Sequence, residues 1–115
     1  MSLRESILAA DDLPLVPVEV PEWKCTVYIA TLNTHERELL EARHLVDKVR
    51  FARERFIIAT CCDENRNFLF TEADIEALGK KSAVACDRLF DVAMRVNKLG
   101  KDDVDDLKKN SETAQ

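Results

Sequence analysis

The sequence predicts a mainly α protein of the α+β class, a small domain of about four to five helices with one N-terminal β-hairpin. Three observations lead there. Glycine and proline number only 2 and 3 in 115 residues, where average usage of roughly 12% would give about 14. Sheet-rich folds need many turns, and turns use both residues heavily. The prolines Pro14, Pro17 and Pro21 all fall in one short stretch that also carries alternating valines. After Thr31 the chain is filled by capped segments whose apolar residues recur every three or four positions.

Ser2-x-x-Glu5 is a capping-box pattern that starts a short helix from about Leu3 to Ala10. In DDLPLVPVEVPEW the prolines forbid a helix, and Val16, Val18 and Val20 alternate as an edge strand would. KCTVYIATL is rich in β-branched and aromatic residues and predicts a strand from about Cys25 to Thr31. The two pair as a hairpin turning near Glu22-Trp23-Lys24, which must lie on helices to be stable. Asn33-x-x-Glu36 caps the next helical stretch. Its apolar ladder runs Leu39, Ala42, Val46, Val49, Ala52, Phe56, Ala59 and Cys62. Over that length the stripe drifts by roughly 140° around a straight helix. Either one long helix faces two neighbours or a break near Lys48–Arg50 makes two. Phe56 to Thr60 also has strand-like composition.

The polar cluster Asp63 to Asn67 is a turn. Thr71 and Asp74 form a second capping box, with Phe70 and Ile75 as its hydrophobic staple. The short helix that follows runs to Leu78 and is expected to stop at Gly79 in a left-handed conformation. The best helix is about Ser82 to Leu99. Its core stripe is Ala85, Leu89, Val92, Val96 and Leu99, widened by Cys86 and Ala93, and Arg88, Asp91, Arg95 and Lys98 form its wet face. Gly100 is expected to close it. Asp102 to Lys109 predicts a last charged helix with Val104 and Leu107 apolar, which makes residues 1–109 one domain and 110–115 a polar tail.

Composition excludes several functions. Lysine and arginine total 17 against 22 acidic residues, a formal charge of −5. No apolar run approaches the roughly 18 residues of a membrane span, and the opening MSLRESILAADD has no signal-peptide core. A cytoplasmic protein is expected, and Cys25, Cys61, Cys62 and Cys86 then read as buried, reduced thiols. Adjacent Cys61 and Cys62 point different ways on a helix or a strand, a poor geometry for joint metal binding. His35 and His44 are too far apart to share a helical face as a metal pair, and both suit solvent-facing positions. The turn DENRN lacks the alternating carboxylates and central glycine of a calcium loop. No catalytic residue, cofactor or metal site is expected.

Two binding modes fit the pattern. Residues 71–99 have the spacing of a helix-turn-helix, with Lys80, Lys81, Ser82 and Arg88 toward nucleic acid. Asp87 and Asp91 on the same helix, and the net acidic charge, oppose DNA binding, which rests largely on cationic contacts. The alternative is protein binding. The strand at Val16, Val18 and Val20 either offers its backbone to another chain or is blunted by its prolines. Trp23 is either a core cap or an interface anchor. Val104 and Leu107 are further candidate interface residues.

LAADDLP, VEVPEW, TVYIATL and the pair Glu36-Arg37 resemble the start of tail assembly chaperones of long, non-contractile-tailed phages or prophages. CCDEN, LFTEADIEALGKKS, DRLFDVAMRVN and DDVDDLKKN resemble the later part of the same family, in the same order and spacing. Asn65-Arg66-Asn67 departs from it, because a glycine is expected in that turn. The resemblance implies a small protein of the bacterial host's cytoplasm that is not retained in the mature virion. It implies binding to the tape measure protein, and a frameshifted longer form that recruits tail-tube protein. Because so short a chain covers only part of a tape measure, many copies must line up through a weak head-to-tail contact.

Overall fold

The computed structural model describes residues 2–46 and 50–98. Ser2 caps α1 (Leu3–Ala9) by accepting the Glu5 amide. β1 (Leu15–Val20) and β2 (Cys25–Ala30) are joined by a 3-10 turn at Pro21–Trp23, with Lys24 left-handed at φ 52°. This is the expected hairpin, and its register sets Val20 opposite Cys25. α2 (Thr34–Val46) and α3 (Ala52–Thr60) are separate helices, and Phe51, at φ 58°, sits left-handed at the N-terminus of α3. The drifting stripe is thus divided between two helices, and Phe56 to Thr60 is helical despite its β-branched content. β3 is only Cys61–Cys62, followed by α4 (Ile75–Gly79) and α5 (Ala83–Asn97).

The sheet has one strand more than the hairpin read from the sequence. Cys61 and Cys62 pair antiparallel with Ile29 and Tyr28, giving the order β1-β2-β3. Beyond β3 the chain folds back: Phe68 bridges to Cys62, and the Leu69 amide donates to the Cys61 carbonyl at 3.1 Å. That return covers the β3 side and leaves β1 as the open edge among the described residues. A strand of two residues carries no periodicity, which is why the sequence did not reveal it.

One face of the sheet is the core. Val18, Val20, Val27, Ile29 and Cys61 point into a cluster completed by Ile57 and Ile58 of α3, Leu78 of α4, and Ala85, Cys86, Leu89 and Ala93 of α5. Ala85, Leu89 and Ala93 recur every four residues and are fully buried, so the stripe read for α5 is correct there. A satellite cluster joins Leu32 and Leu40 to Phe56, Ala59 and Met94. Phe56 and Phe90 meet edge to face with centroids 5.3 Å apart.

Several expectations need correction. The ladder through Leu39 and Ala42 is out of phase: Leu40 is buried, while Leu39 is 53% exposed and Ala42 is also exposed. Adjacent leucines leave the phase undetermined until α3 supplies a neighbour. Gly79 is the last residue of α4 and is followed by right-handed Lys80 at φ −96°, so no left-handed glycine ends that helix. α5 stops at Asn97 because Lys98 turns left-handed at φ 45°, earlier than the expected Leu99. Cys25 is exposed rather than buried. Val18 and Val20 are core residues, not apolar groups left outside the core. Leu99, Gly100, Val104 and Leu107, with the helix read at Asp102–Lys109, lie outside the described residues, as does Val49.

Because Val18 is only 9% exposed, Val18→Asp places an unpaired carboxylate in the main core. It is expected to destabilise the fold by at least about 3 kcal/mol, measured as a fall in the urea midpoint.

Candidate functional site

The expected interface residues lie in two settings. Trp23 packs half-buried against the main core, as does Val16, so the cap reading fits the placement of Trp23. On β1 the backbone faces outward rather than the valines. The Thr31 amide bonds to the Pro14 carbonyl at 3.2 Å, and this fixes Val16, Val18 and Val20 as the residues bonded to β2. Leu15, Pro17 and Glu19 therefore present their backbone groups to the open edge. Pro17 has no N–H, so the edge lacks a donor at its centre.

The residues read as a DNA-contacting set are differently employed. Arg88 donates both its terminal nitrogens to Glu22 at 2.7 and 2.9 Å. Ser82 caps α5 by accepting the Ala85 amide. Lys80 and Lys81 are exposed. α5 is wedged against α3 and β2, with its apolar stripe in the core. His35 is exposed in the first turn of α2.

An apolar groove opens where α2, α3 and the return strand meet. Its floor and sides are Leu39, Leu40, Ile58, Ala59 and Phe68, and it encloses about 170 Å³. Leu39, Phe68 and the neighbouring Leu69 are 53%, 38% and 46% exposed. Charged pairs form its rims. On one side Arg43 and Arg55 both reach Glu72, at 2.9 and 3.1 Å. On the other, Arg66 binds Glu36 at 2.7 Å and lies over the Phe68 ring, 5.3 Å from its centroid.

Arg66 is the residue of the Asn65–Asn67 turn whose backbone is unusual. It occupies the left-handed position of the turn, at φ 64°, which glycine would fill without steric cost. Asp63 stabilises this turn by accepting the amides of Asn65 and Asn67, both at 2.9 Å. The Arg66 side chain compensates by bonding Glu36 and the Thr31 carbonyl. Burial raises the Glu36 carboxyl's pKa, but Arg66 and the Asn33 amide outweigh it and hold it below its ordinary value.

Opposite the compact core, α1 buries none of its residues. Leu3, Ile7 and Leu8 are 78%, 62% and 69% exposed. The helix was read from the sequence but not as an interface, and the groove was not read at all. The signal for α1 was the spacing Leu3–Ile7 in a segment cut off by prolines from anything it could pack on. The groove has no sequence signal, since it joins residues from three distant segments.

Among the described residues there is no group of three or more His, Cys, Asp or Glu side chains placed to hold a metal. No helix among them is long and apolar enough to cross a membrane.

The fold is thus an α+β arrangement of a three-stranded antiparallel sheet backed by α3 and α5, with its distinguishing surfaces on α1, α2 and the return strand. It is similar to the solved structure of the bacteriophage HK97 tail assembly chaperone, with a TM-score of 0.58 and 18% sequence identity over 81% of this chain and 91% of that one. No family model matches the sequence, and no curated protein matches it either.

Two outcomes follow from the site's electrostatics and thiols. Hydrogen bonds from Arg88, helped by the Glu22 amide, hold the Glu22 carboxyl at about 2, against an ordinary 4.5. A carboxyl depressed in the folded state adds stability above its unfolded pKa and loses it as pH falls through the folded one. Glu22→Gln is therefore expected to flatten the acid limb of the stability profile between pH 4.5 and 2. Burial pushes the Cys61 thiol up to about 12 and also raises Cys62 and Cys86. An aromatic disulfide reagent should modify only exposed Cys25 rapidly in the native protein, and all 4 thiols after denaturation.

Proposed function

We propose that this chain is a phage tail assembly chaperone that binds the tape measure protein and keeps it soluble while the tail tube assembles around it. The observation that carries this reading is the fold shared with the HK97 tail assembly chaperone along most of both chains.

In this reading the chaperone acts by covering apolar faces of a long helical chain that would otherwise aggregate. Many copies line up along one tape measure, associating weakly with one another head to tail. The protein works in the cytoplasm of the bacterial host, leaves before the virion is complete, and meets tail-tube protein through a frameshifted longer form. No reaction is catalysed and no cofactor is required. Binding energy comes from apolar surface removed from water, at about 25 cal/mol per Å².

Helix-turn-helix function draws no comparable support. A recognition helix must project basic side chains into the major groove, and here Arg88 is bound by Glu22 across to the hairpin turn.

Co-expression with the tape measure protein encoded in the same genome tests the proposal. The tape measure is expected to move from the insoluble to the soluble fraction and to co-purify with this chain. A tape measure that stays insoluble at equal expression would refute it.

A further inference from the structure

The protein carries two complementary apolar surfaces that do not meet within one copy. α1 is a capped helix with Leu3 and Ile7 stacked on one face, four residues apart, and Leu8 at the margin. Helices this short are marginal in water unless an apolar face is packed, yet all three side chains are more than 60% exposed. The groove between α2, α3 and Phe68 is likewise open at Leu39 and Phe68.

We propose that α1 of one copy lays its Leu3–Ile7 face across the α2–α3–Phe68 groove of a second copy of this chain. This deepens the multi-copy part of the function proposed above, and rests on it, by naming the contact between neighbours. The sizes agree. A space of about 170 Å³ accepts a group about as large as benzene, which suits a single branched aliphatic side chain such as Ile7. The rest of the α1 face would lie on Leu39 and Phe68 at the mouth. Both rims carry both charge signs through Glu36–Arg66 and Arg43–Glu72, and α1 offers Arg4 at the margin of its apolar face.

The topology of this contact follows from its asymmetry. Arm and groove are different surfaces, so each copy donates one and accepts one, and the contact propagates instead of closing on itself as a twofold dimer would. It is also weak, since one short helix covers far less than the area of a standard protein–protein interface. Association that grows with concentration, and that a tape measure strengthens by lining copies up, is the behaviour such a contact produces.

Two variants test this, each at an exposed position outside the core. Ile7→Asp spoils the arm and spares the groove; Leu39→Asp spoils the groove and spares the arm. Unchanged circular dichroism and melting temperature check that both fold. In sedimentation velocity over a concentration series, wild type is expected to show rising mass, and each variant alone at least tenfold weaker association. Mixed together, the two variants should form a dimer and nothing larger, because only one productive arm–groove pair remains. Variants that associate like wild type would overturn the proposal. So would a mixture no more associated than its components, or a wild type that stays monomeric at millimolar concentration, as it would if α1 occupied its own groove. Tape-measure solubility is read separately. A wild-type chain that associates through the arm but leaves the tape measure insoluble would remove the chaperone reading and leave this contact standing.

Discussion

The structure depends on how the backbone is satisfied where β2 ends and the chain turns toward α2. Ala30 is fully buried and Leu32 nearly so, and backbone groups shut away from water must find partners or cost about 1–3 kcal/mol each. Asn97, at the last turn of α5, supplies most of them. Its Oδ1 accepts the Leu32 amide at 2.7 Å, while its Nδ2 donates to the carbonyls of Ala30 and Ala93. Arg66 takes the Thr31 carbonyl from the other side, and the Thr31 hydroxyl donates to the Pro14 carbonyl at the start of β1. Segments far apart in sequence are thereby fixed to one three-residue junction.

That junction positions the groove. Arg66 grips Glu36 as well as Thr31, and Glu36 closes the capping box with Asn33 that starts α2. The turn bearing Arg66 is thus tied to the first turn of the helix that forms one wall. The same guanidinium lies over Phe68, the opposite wall. A left-handed non-glycine residue costs roughly 1–2 kcal/mol, and here that cost is offset by a part-buried ion pair that a glycine could not make. A turn without glycine is therefore coherent with its surroundings.

What could be read from the sequence divides along the range of the interactions. Local signals were legible: the caps read at Ser2, Asn33 and Thr71 form, and the hairpin turns where its prolines and valines require. The stripe of α5 was legible because small residues at Ala85 and Ala93 flank Leu89 on one face. Long-range features were not. Asn97 looks like any polar residue near a helix end until β2 is beside it. The phase of α2 was ambiguous between Leu39 and Leu40, and only packing on Phe56 and Ala59 decides it. β3 exists because β2 offers a free edge, not because Cys-Cys prefers to be a strand.

The same division explains where recognition can reside. An open sheet edge is the simplest place for a second chain to add, but Pro17 removes the central outward donor of β1, and Val18 and Val20 are spent on the core. A partner strand would find interrupted hydrogen bonding and few free apolar side chains, since Leu15 and Val16 are partly buried. The helical side differs in both respects. Its backbone is internally satisfied, so a partner need supply no hydrogen bonds, and its apolar residues are spare rather than structural: Leu39 sits beside the leucine that packs, and Leu3, Ile7 and Leu8 are largely exposed among the described residues. Contiguous exposed apolar groups of this kind are where interaction sites are found. In the proposed contact, a blunted edge beside an open arm and groove favours helix-on-helix packing, whose geometry is set by side chains. Such contacts can be made and released repeatedly, whereas strand addition along an unprotected edge tends toward aggregation.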